Sequence, residues 1–145
     1  MPHHEYSAII KNYGIEKIIQ LVEPVPYKIA IRYAQEADVL LNIETRCKNS
    51  DIFLESKLVE YIGFNKPIWG IGSPNGAGAD LLNSLKCPFS DINNPQEILG
   101  TLNSIYRKWD LNAEISTDLT AQKAPKYSLT NTSRKLASIL NSISN

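Results

Sequence analysis

Residues 52–71 read IFLESKLVEYIGFNKPIWGI, a stretch that predicts a loop, a short helix, a tight turn and a buried strand. Ser56 is suited to the N-cap of the helix, because its hydroxyl can accept a hydrogen bond from an amide of the first turn. Gly63 is suited to be the left-handed residue that ends the helix. Between them, apolar residues fall on one side of the helix: Leu58, Val59 and Ile62. Residues 68–71 form an apolar run, as in a strand covered on both faces.

The start of this helix predicts an anion site. A helix that begins near Ser56 presents backbone amides without intrahelical partners and the positive end of its dipole. Glu60 lies one turn further along, where a carboxylate can accept hydrogen bonds from a pair of hydroxyl groups. A phosphate at the helix start and a sugar diol one turn away together outline a nucleotide diphosphate. The alternative is that Glu60 is a solvated helix glutamate.

The same stretch resembles a known family. Residues 53–63 and the following Lys66-Pro67-Ile68 are similar to the donor-binding segment of GT-B fold glycosyltransferases, which use nucleotide sugars. The resemblance is to the retaining family four, whose segment reads roughly F-L-P-S-K-L-x-E-Y-x-x-x-G-K-P-I. It implies that Glu60 holds the ribose hydroxyls of the donor. It also implies that the helix start meets the donor diphosphate, with contacts from Glu55, Ser56, Lys57 and Leu58.

The resemblance covers residues 6–108 and departs from the family at two positions. A second glutamate, which the family often carries near the sugar, corresponds here to Ile52. The usual glycine before Lys-Pro corresponds to Asn65, another turn residue. No residue is therefore assigned a catalytic role. The resemblance further implies an N-terminally truncated chain that lacks the acceptor-binding domain and the first two strands of the nucleotide domain.

A glycine-rich stretch, residues 70–78, begins at the end of the predicted strand. It is not a dinucleotide-binding fingerprint, because the third glycine would fall at position 75, which is Asn75. The glycines instead favour a loop that a ligand or another backbone approaches closely. By resemblance this loop precedes a helix that faces the donor sugar, so a sugar or phosphate contact is expected at Gly76, Ala77 and Gly78. A turn that merely needs small residues is the alternative.

Alternation of helices and strands predicts the α/β class, with a Rossmann-like open parallel sheet and helices on both faces. The sheet is expected to be incomplete, with about four strands, at residues 15–22, 38–43, 68–71 and 86–89. Further helices are predicted at residues 6–13, 27–36, 79–84 and 96–108. The expected organisation is a partial nucleotide-sugar-binding domain (1–108), a connecting segment (109–127) and a C-terminal amphipathic helix (128–145).

Composition indicates which classes of partner and which cellular compartment the chain favours. The chain has 145 residues, and its 15 basic residues balance its 15 acidic ones, so charge does not favour nucleic acid as a partner. Cys47 and Cys87 show no metal-binding spacing, which predicts no metal and a reduced, cytoplasmic setting. The resemblance implies no cofactor beyond the nucleotide-sugar substrate. No apolar run has membrane-spanning length, while peripheral attachment at a membrane stays open.

Three arrangements and three functions follow from these patterns. The chain is expected to be a truncated reading frame, half of a split enzyme completed by an acceptor-domain chain or by self-association, or a minimal sheet. In the minimal sheet, residues 15–22 pair directly with residues 38–43. The expected function is donor binding in a glycosyltransferase that is inactive alone. The alternatives are a non-catalytic nucleotide- or partner-binding module and an unrelated flavodoxin-like regulatory domain.

Overall fold

The computed structural model describes residues 3–44, 52–113, 115 and 128–143 of the chain. The chain forms two compact units, residues 1–33 and residues 34–145. The described elements are six helices and three strands: α1 (His3–Asn12), α2 (Tyr27–Glu36), β1 (Leu40–Ile43), α3 (Ser56–Gly63), β2 (Ile68–Gly72), α4 (Ala77–Ser84), β3 (Phe89–Asp91), α5 (Pro95–Asp110) and α6 (Leu129–Ile143).

The first unit contains a helix where one was predicted and a turn where a strand was predicted. Helix α1 is followed by Gly14, whose φ of 64° is the left-handed conformation expected after a helix end. The predicted strand at residues 15–22 is wrong: the amides of Ile18 and Ile19 both donate to the Ile15 carbonyl, each at 3.0 Å. A β-branched run favours a strand only where a sheet surface is present for it to pack on. The minimal-sheet arrangement, which needed a strand here, is therefore wrong as well.

The sheet of the second unit is parallel, in the order β1-β2-β3. The predicted α/β class and open parallel sheet are confirmed, with three strands among the described residues instead of about four. The amides of Leu40 and Glu44 donate toward β2, at 2.8 and 2.9 Å. Leu41 and Ile43 therefore direct their backbone groups to the outer edge of β1, where no described strand pairs. Their side chains are 41% and 56% exposed.

The third strand begins later than predicted. Residues 86–89 were expected as the edge strand, whereas pairing runs from Phe89, opposite Gly70, to Asp91. Lys86 has a φ of 53° and its amide donates to Asn83 at 3.0 Å, so it belongs to the turn that ends α4. Pro88 has no amide to donate, but its carbonyl accepts from Gly70 at 3.0 Å, and the ladder begins there.

Helices cover both faces of the sheet, as predicted. On one face, α3 and α4 pack over β1 and β2, and the fully buried side chains there are Leu58, Ile62, Ile68, Leu82 and Leu85. Burying each such side chain stabilises the fold by roughly 1.5–3 kcal/mol. On the other face, Ile105 of α5 packs against Trp69 and Ile71. Alternate residues of β2 thus serve two cores.

Two tryptophans connect α5 to the sheet in different ways. Trp69 is buried, and its Nε1 donates to Ser90 Oγ at 3.1 Å. Ser90 Oγ in turn donates to Thr101 Oγ1 at 2.9 Å, so this buried hydroxyl is satisfied. Trp109 is half exposed, and its Nε1 donates to the Asp38 carboxylate at 3.1 Å. The first link joins β2, β3 and α5, and the second fixes the C-terminal end of α5 beside the start of β1.

The predicted C-terminal helix is present as α6, but no side chain on it is buried. Its apolar stripe is exposed: Leu136, Ile139, Leu140 and Ile143. Of the predicted connecting segment, residues 109–110 belong to α5 and most of the rest lies outside the described residues. Among the described helices, none combines the length and the apolar character needed to cross a bilayer.

Candidate functional site

A cleft of about 470 Å³ lies at the carboxyl end of β1, where open parallel sheets place their ligands. Its described lining comes from the end of β1, the loop before α3 and the first turn of α3: Asn42, Ile43, Phe53, Leu54, Glu55, Ser56 and Lys57. We call it the α3 cleft. Its volume falls in the range of small-molecule sites, which is roughly 300–1,000 Å³.

Helix α3 starts at this cleft without a side-chain cap. Glu55, not Ser56, occupies the N-cap position, with extended backbone (φ −68°, ψ 130°) and no capping bond from its side chain. The predicted capping role of Ser56 is therefore wrong. The amides of Leu58 and Val59 bond to the Glu55 carbonyl at 3.1 and 3.5 Å. The two amides before them precede the helical ladder, so the first turn keeps donors for an anion.

The end of α3 also differs from the prediction. Gly63 lies within the helix, and the left-handed residue is Asn65, with a φ of 53°. The amides of Phe64 and Asn65 close the last turn on the carbonyls of Tyr61 and Ile62, at 3.1 and 3.4 Å. Asparagine tolerates this conformation better than most residues, which explains how the chain turns into β2 here without a glycine.

The structure brings together three of the residues expected at the diphosphate. Glu55, Ser56 and Lys57 line the α3 cleft. Leu58 turns its side chain into the core, where it is 1% exposed, so only its backbone faces the helix start. Lys57 places Nζ 5.3 Å from the centre of the Tyr61 ring, a cation–π contact. Glu60 is exposed on α3 and does not belong to the described lining of the cleft.

Asn42 is a site residue that sequence reasoning missed. Its side chain is 1% exposed, and neither Nδ2 nor Oδ1 has a hydrogen-bond partner within the described structure. It also lines the α3 cleft, on the strand position opposite Gly70. An unpaired buried amide costs roughly 1–3 kcal/mol. The available signal was one polar residue inside an otherwise apolar strand run.

A second helix start, that of α4, lies at the same edge of the sheet. Gly76 is its N-cap residue and supplies no side chain to cap it. The Glu44 carboxylate lies here: Ser73 donates its amide to Oε2 at 3.1 Å. A Cβ added at Gly72 or Gly78 would overlap this carboxylate. We call the three glycines around it, Gly72, Gly76 and Gly78, the glycine pocket.

The glycine pocket therefore holds an anion that the chain itself supplies. Sugar or phosphate contacts were expected at Gly76, Ala77 and Gly78; the two glycines of this segment instead lie against the carboxylate of Glu44, the residue after β1. A carboxylate close to the positive end of a helix is stabilised there and repels a second anion. The glycine pattern correctly indicated a close approach. No signal in the sequence indicated that the approaching group would be Glu44.

Comparison with known proteins finds no match among family models, curated proteins or solved structures.

The cysteine of the described residues, Cys87, does not line the α3 cleft. Cys87 is buried in the core beneath α4, and desolvation by burial raises the pKa of its thiol to about 11. The thiol is therefore protonated at neutral pH and is not a nucleophile. Arg46 and Lys48 follow β1 in the sequence, where they are either neighbours of a phosphate or solvated cations. Both lie outside the described residues, as does Cys47.

Proposed function

We propose that the α3 cleft binds the diphosphate of a nucleotide sugar, and that the chain is the donor-binding part of a glycosyltransferase with an unknown acceptor. The observation that carries this proposal is the uncapped start of α3, which faces a cleft at the carboxyl edge of a parallel sheet. The resemblance of residues 53–68 to family-four glycosyltransferases supports the choice of a nucleotide sugar over other anions.

The proposed role of the site is to hold the donor and stabilise the departing diphosphate. Backbone amides at Ser56 and Lys57 supply donors in fixed positions, and the Lys57 ammonium adds a positive charge at the rim. Fixed donors of this kind lower the barrier to sugar transfer by stabilising charge on the leaving group. No acid, base or nucleophile is assigned, so transfer is expected to require groups beyond this site.

Glu60 provides the test of the nucleoside part. Its position one turn into α3 suits a carboxylate that accepts from the two ribose hydroxyls. We expect Glu60→Ala to weaken binding of a nucleoside diphosphate by roughly 1–3 kcal/mol, the value of hydrogen bonds to a charged group. Calorimetric titration of the full chain with UDP, GDP and ADP measures this. Asp110→Ala, which removes an exposed carboxylate at the end of α5, is the matched control.

Two outcomes would contradict the proposal in different parts. A folded wild-type chain that binds none of the three nucleotides would exclude a donor site. Binding that is equal in wild type and Glu60→Ala would leave a phosphate site but remove the ribose assignment.

The glycine pocket favours a second candidate, a nucleotide-binding module without turnover. Glu44 already fills the place where sugar or phosphate contacts were expected, which leaves less room for a productively held sugar. This candidate predicts nucleotide binding with no release of nucleoside diphosphate from the sugar donor, in the presence or absence of acceptor sugars. Measured release of nucleoside diphosphate by the chain would exclude it.

A further inference from the structure

The buried carboxamide of Asn42 is a feature of the α3 cleft that the described residues do not explain. Both of its polar atoms lack partners within the described structure, although the residue is 1% exposed. Folded proteins pair nearly all such groups. The other strand positions around it are apolar, as in Leu40, Leu41 and Ile43, so leucine would fit the local pattern better. Because an unpaired Asn42 carboxamide destabilises the unliganded fold, we infer that a bound ligand supplies its hydrogen-bond partners.

The position of Asn42 indicates what this partner touches. It lines the same cleft as Ser56 and Lys57, so a group bound to the amides of α3 lies beside it. Its register partner on β2 is Gly70, which places no side chain between them. Because the carboxamide is buried, a ligand in the cleft reaches it only if the Asn42 side chain or a residue of the cleft wall shifts. The helix start and the unpartnered amide are separate observations, and both point to one ligand.

We propose that Asn42 is a specificity-determining residue that hydrogen-bonds to the ligand and selects a phosphate ester that carries a hydroxyl group. This rests on the proposed function, because it takes the phosphate to lie at the start of α3. Nδ2 donates to a phosphate oxygen, and Oδ1 accepts from a hydroxyl of the ester. An ester without that hydroxyl leaves Oδ1 unpaired. Sites built to bond a hydroxyl discriminate strongly against analogues that lack it.

The hydroxyl has two possible sources in a nucleotide sugar, the hexose and the ribose, and the ligands separate them. The probes are a nucleoside diphosphate glucose, the β-methyl ester of the same nucleoside diphosphate, and the glucose conjugate of its 2′,3′-dideoxy form. The methyl ester removes the hexose hydroxyls and the dideoxy compound removes those of the ribose. Calorimetric titration of the full chain compares wild type, Asn42→Leu and Asn83→Leu. Asn83 is exposed on α4 outside the cleft lining, which makes its variant the matched control.

We expect wild type to bind the complete ligand at least about tenfold more tightly than either the methyl ester, which lacks the hexose hydroxyls, or the dideoxy compound, which lacks the ribose hydroxyls. Asn42→Leu should lose that preference and bind the complete ligand about tenfold more weakly, whereas Asn83→Leu should match wild type. Asn42→Leu should also raise the Tm of the unliganded chain, because leucine removes an unpaired amide from an apolar setting. A higher Tm together with a lower ligand affinity in Asn42→Leu would show that Asn42 serves ligand binding and not the stability of the fold.

The contrary outcomes are distinct. Unchanged affinity in Asn42→Leu, with Glu60→Ala still weakening nucleotide binding, would overturn the role of Asn42 and leave the proposed function standing. A fall in both Tm and affinity would make Asn42 a structural residue. If Asn42→Leu does not fold, Asn42→Val, which is smaller and suits a strand, carries the same expectations. Failure of every probe to bind folded wild type would overturn both proposals.

Discussion

Helices α3 and α4 start at the same edge of one sheet, but different side chains lie beside the two helix starts. Both helices have eight residues, and in both the N-cap residue makes no side-chain capping bond. The glycine pocket at α4 receives the carboxylate of Glu44. The wall of the α3 cleft instead contains Asn42, whose side-chain carboxamide has no partner within the described structure. Both helix starts favour a negative charge, and at the start of α4 that charge is the carboxylate of Glu44.

The difference between the two helix starts shows that a sequence pattern typical of an anion site does not identify the anion that occupies the site. Glycines at positions 72, 76 and 78 allow a close approach to the start of α4, and that approach is used by a side chain from the neighbouring strand. At α3 the residues around the helix start are larger, yet the cleft stays open. Substitutions at the two helix starts can test whether this contrast is real.

The largest expected effect is at Gly72. A Cβ there would meet the Glu44 side chain over its last carbons and one carboxylate oxygen, so more than the tip of the side chain must move. We expect Gly72→Ala to lower the free energy of unfolding by roughly 2–3 kcal/mol, as for overpacking at other tight sites. Urea denaturation measures it. Gly100→Ala is the control, since a Cβ at this helical position of α5 meets nothing within 4 Å of the described structure.

That control should move in the opposite direction, with a gain of roughly 0.5–1 kcal/mol from replacing glycine in a helix. Equal effects at the two glycines would show that Glu44 does not occupy the glycine pocket in solution. The contrast between the two helix starts would then be lost.

A smaller effect is expected from Glu44→Gln, which keeps the shape and removes the charge. The glutamine oxygen can still accept from the Ser73 amide, but the attraction between a carboxylate and the helix start is gone. We expect a loss of about 1 kcal/mol in stability at low salt, measured by thermal unfolding at two ionic strengths. Asp80→Asn, at an exposed position in the first turn of α4, is the comparison and should lose less stability, and its loss should be more sensitive to salt. An identical response in both variants would argue that Glu44 is solvated.

The smallest stability effect is expected at the α3 cleft itself, from Lys57→Gln. The exposed cation–π contact with Tyr61 contributes about 0.5–1 kcal/mol at most, so the fold should scarcely change. Nucleoside diphosphate binding should nevertheless weaken, and its dependence on salt should become less steep, because one charge at the rim is removed. Titrations at low and high salt measure this. Unaltered binding at both salt concentrations would place the phosphate away from this helix start.

The parts of the fold that sequence reasoning predicted are those controlled by local signals. The helix bounds of α2 agree with the prediction, and β1 and β2 were predicted within two residues at each end, because apolar periodicity and proline positions decide them. Residues 15–22 fail for the complementary reason, since strand formation depends on a neighbour that no local pattern supplies. The shift of β3 past Pro88 follows from backbone hydrogen bonding, which single-residue propensity does not contain.

In the candidate site, too, the residues set by local signals could be predicted from the sequence and those set by long-range contacts could not. Residues 55–57 could be found from the sequence, because a helix start after a strand is a local feature. Glu44 could not, since its carboxylate reaches glycines that come 28 or more residues later in the chain. Asn42 gave a faint signal as a polar residue in an apolar run, but only its burial shows that it lacks partners. Long-range contacts therefore determine which helix start is filled.

The contrasting surroundings of Trp69 and Trp109 give this chain two intrinsic optical reporters. Trp69 is 7% exposed, with its indole bonded to Ser90, so its emission should be blue-shifted and protected from collisional quenchers. Trp109 is 50% exposed and should be quenched readily by acrylamide. The quencher-resistant fraction of the fluorescence thus follows the sheet, and the accessible fraction follows the end of α5. Unfolding of the variants above can be monitored by wavelength and quenching together, without attaching a dye.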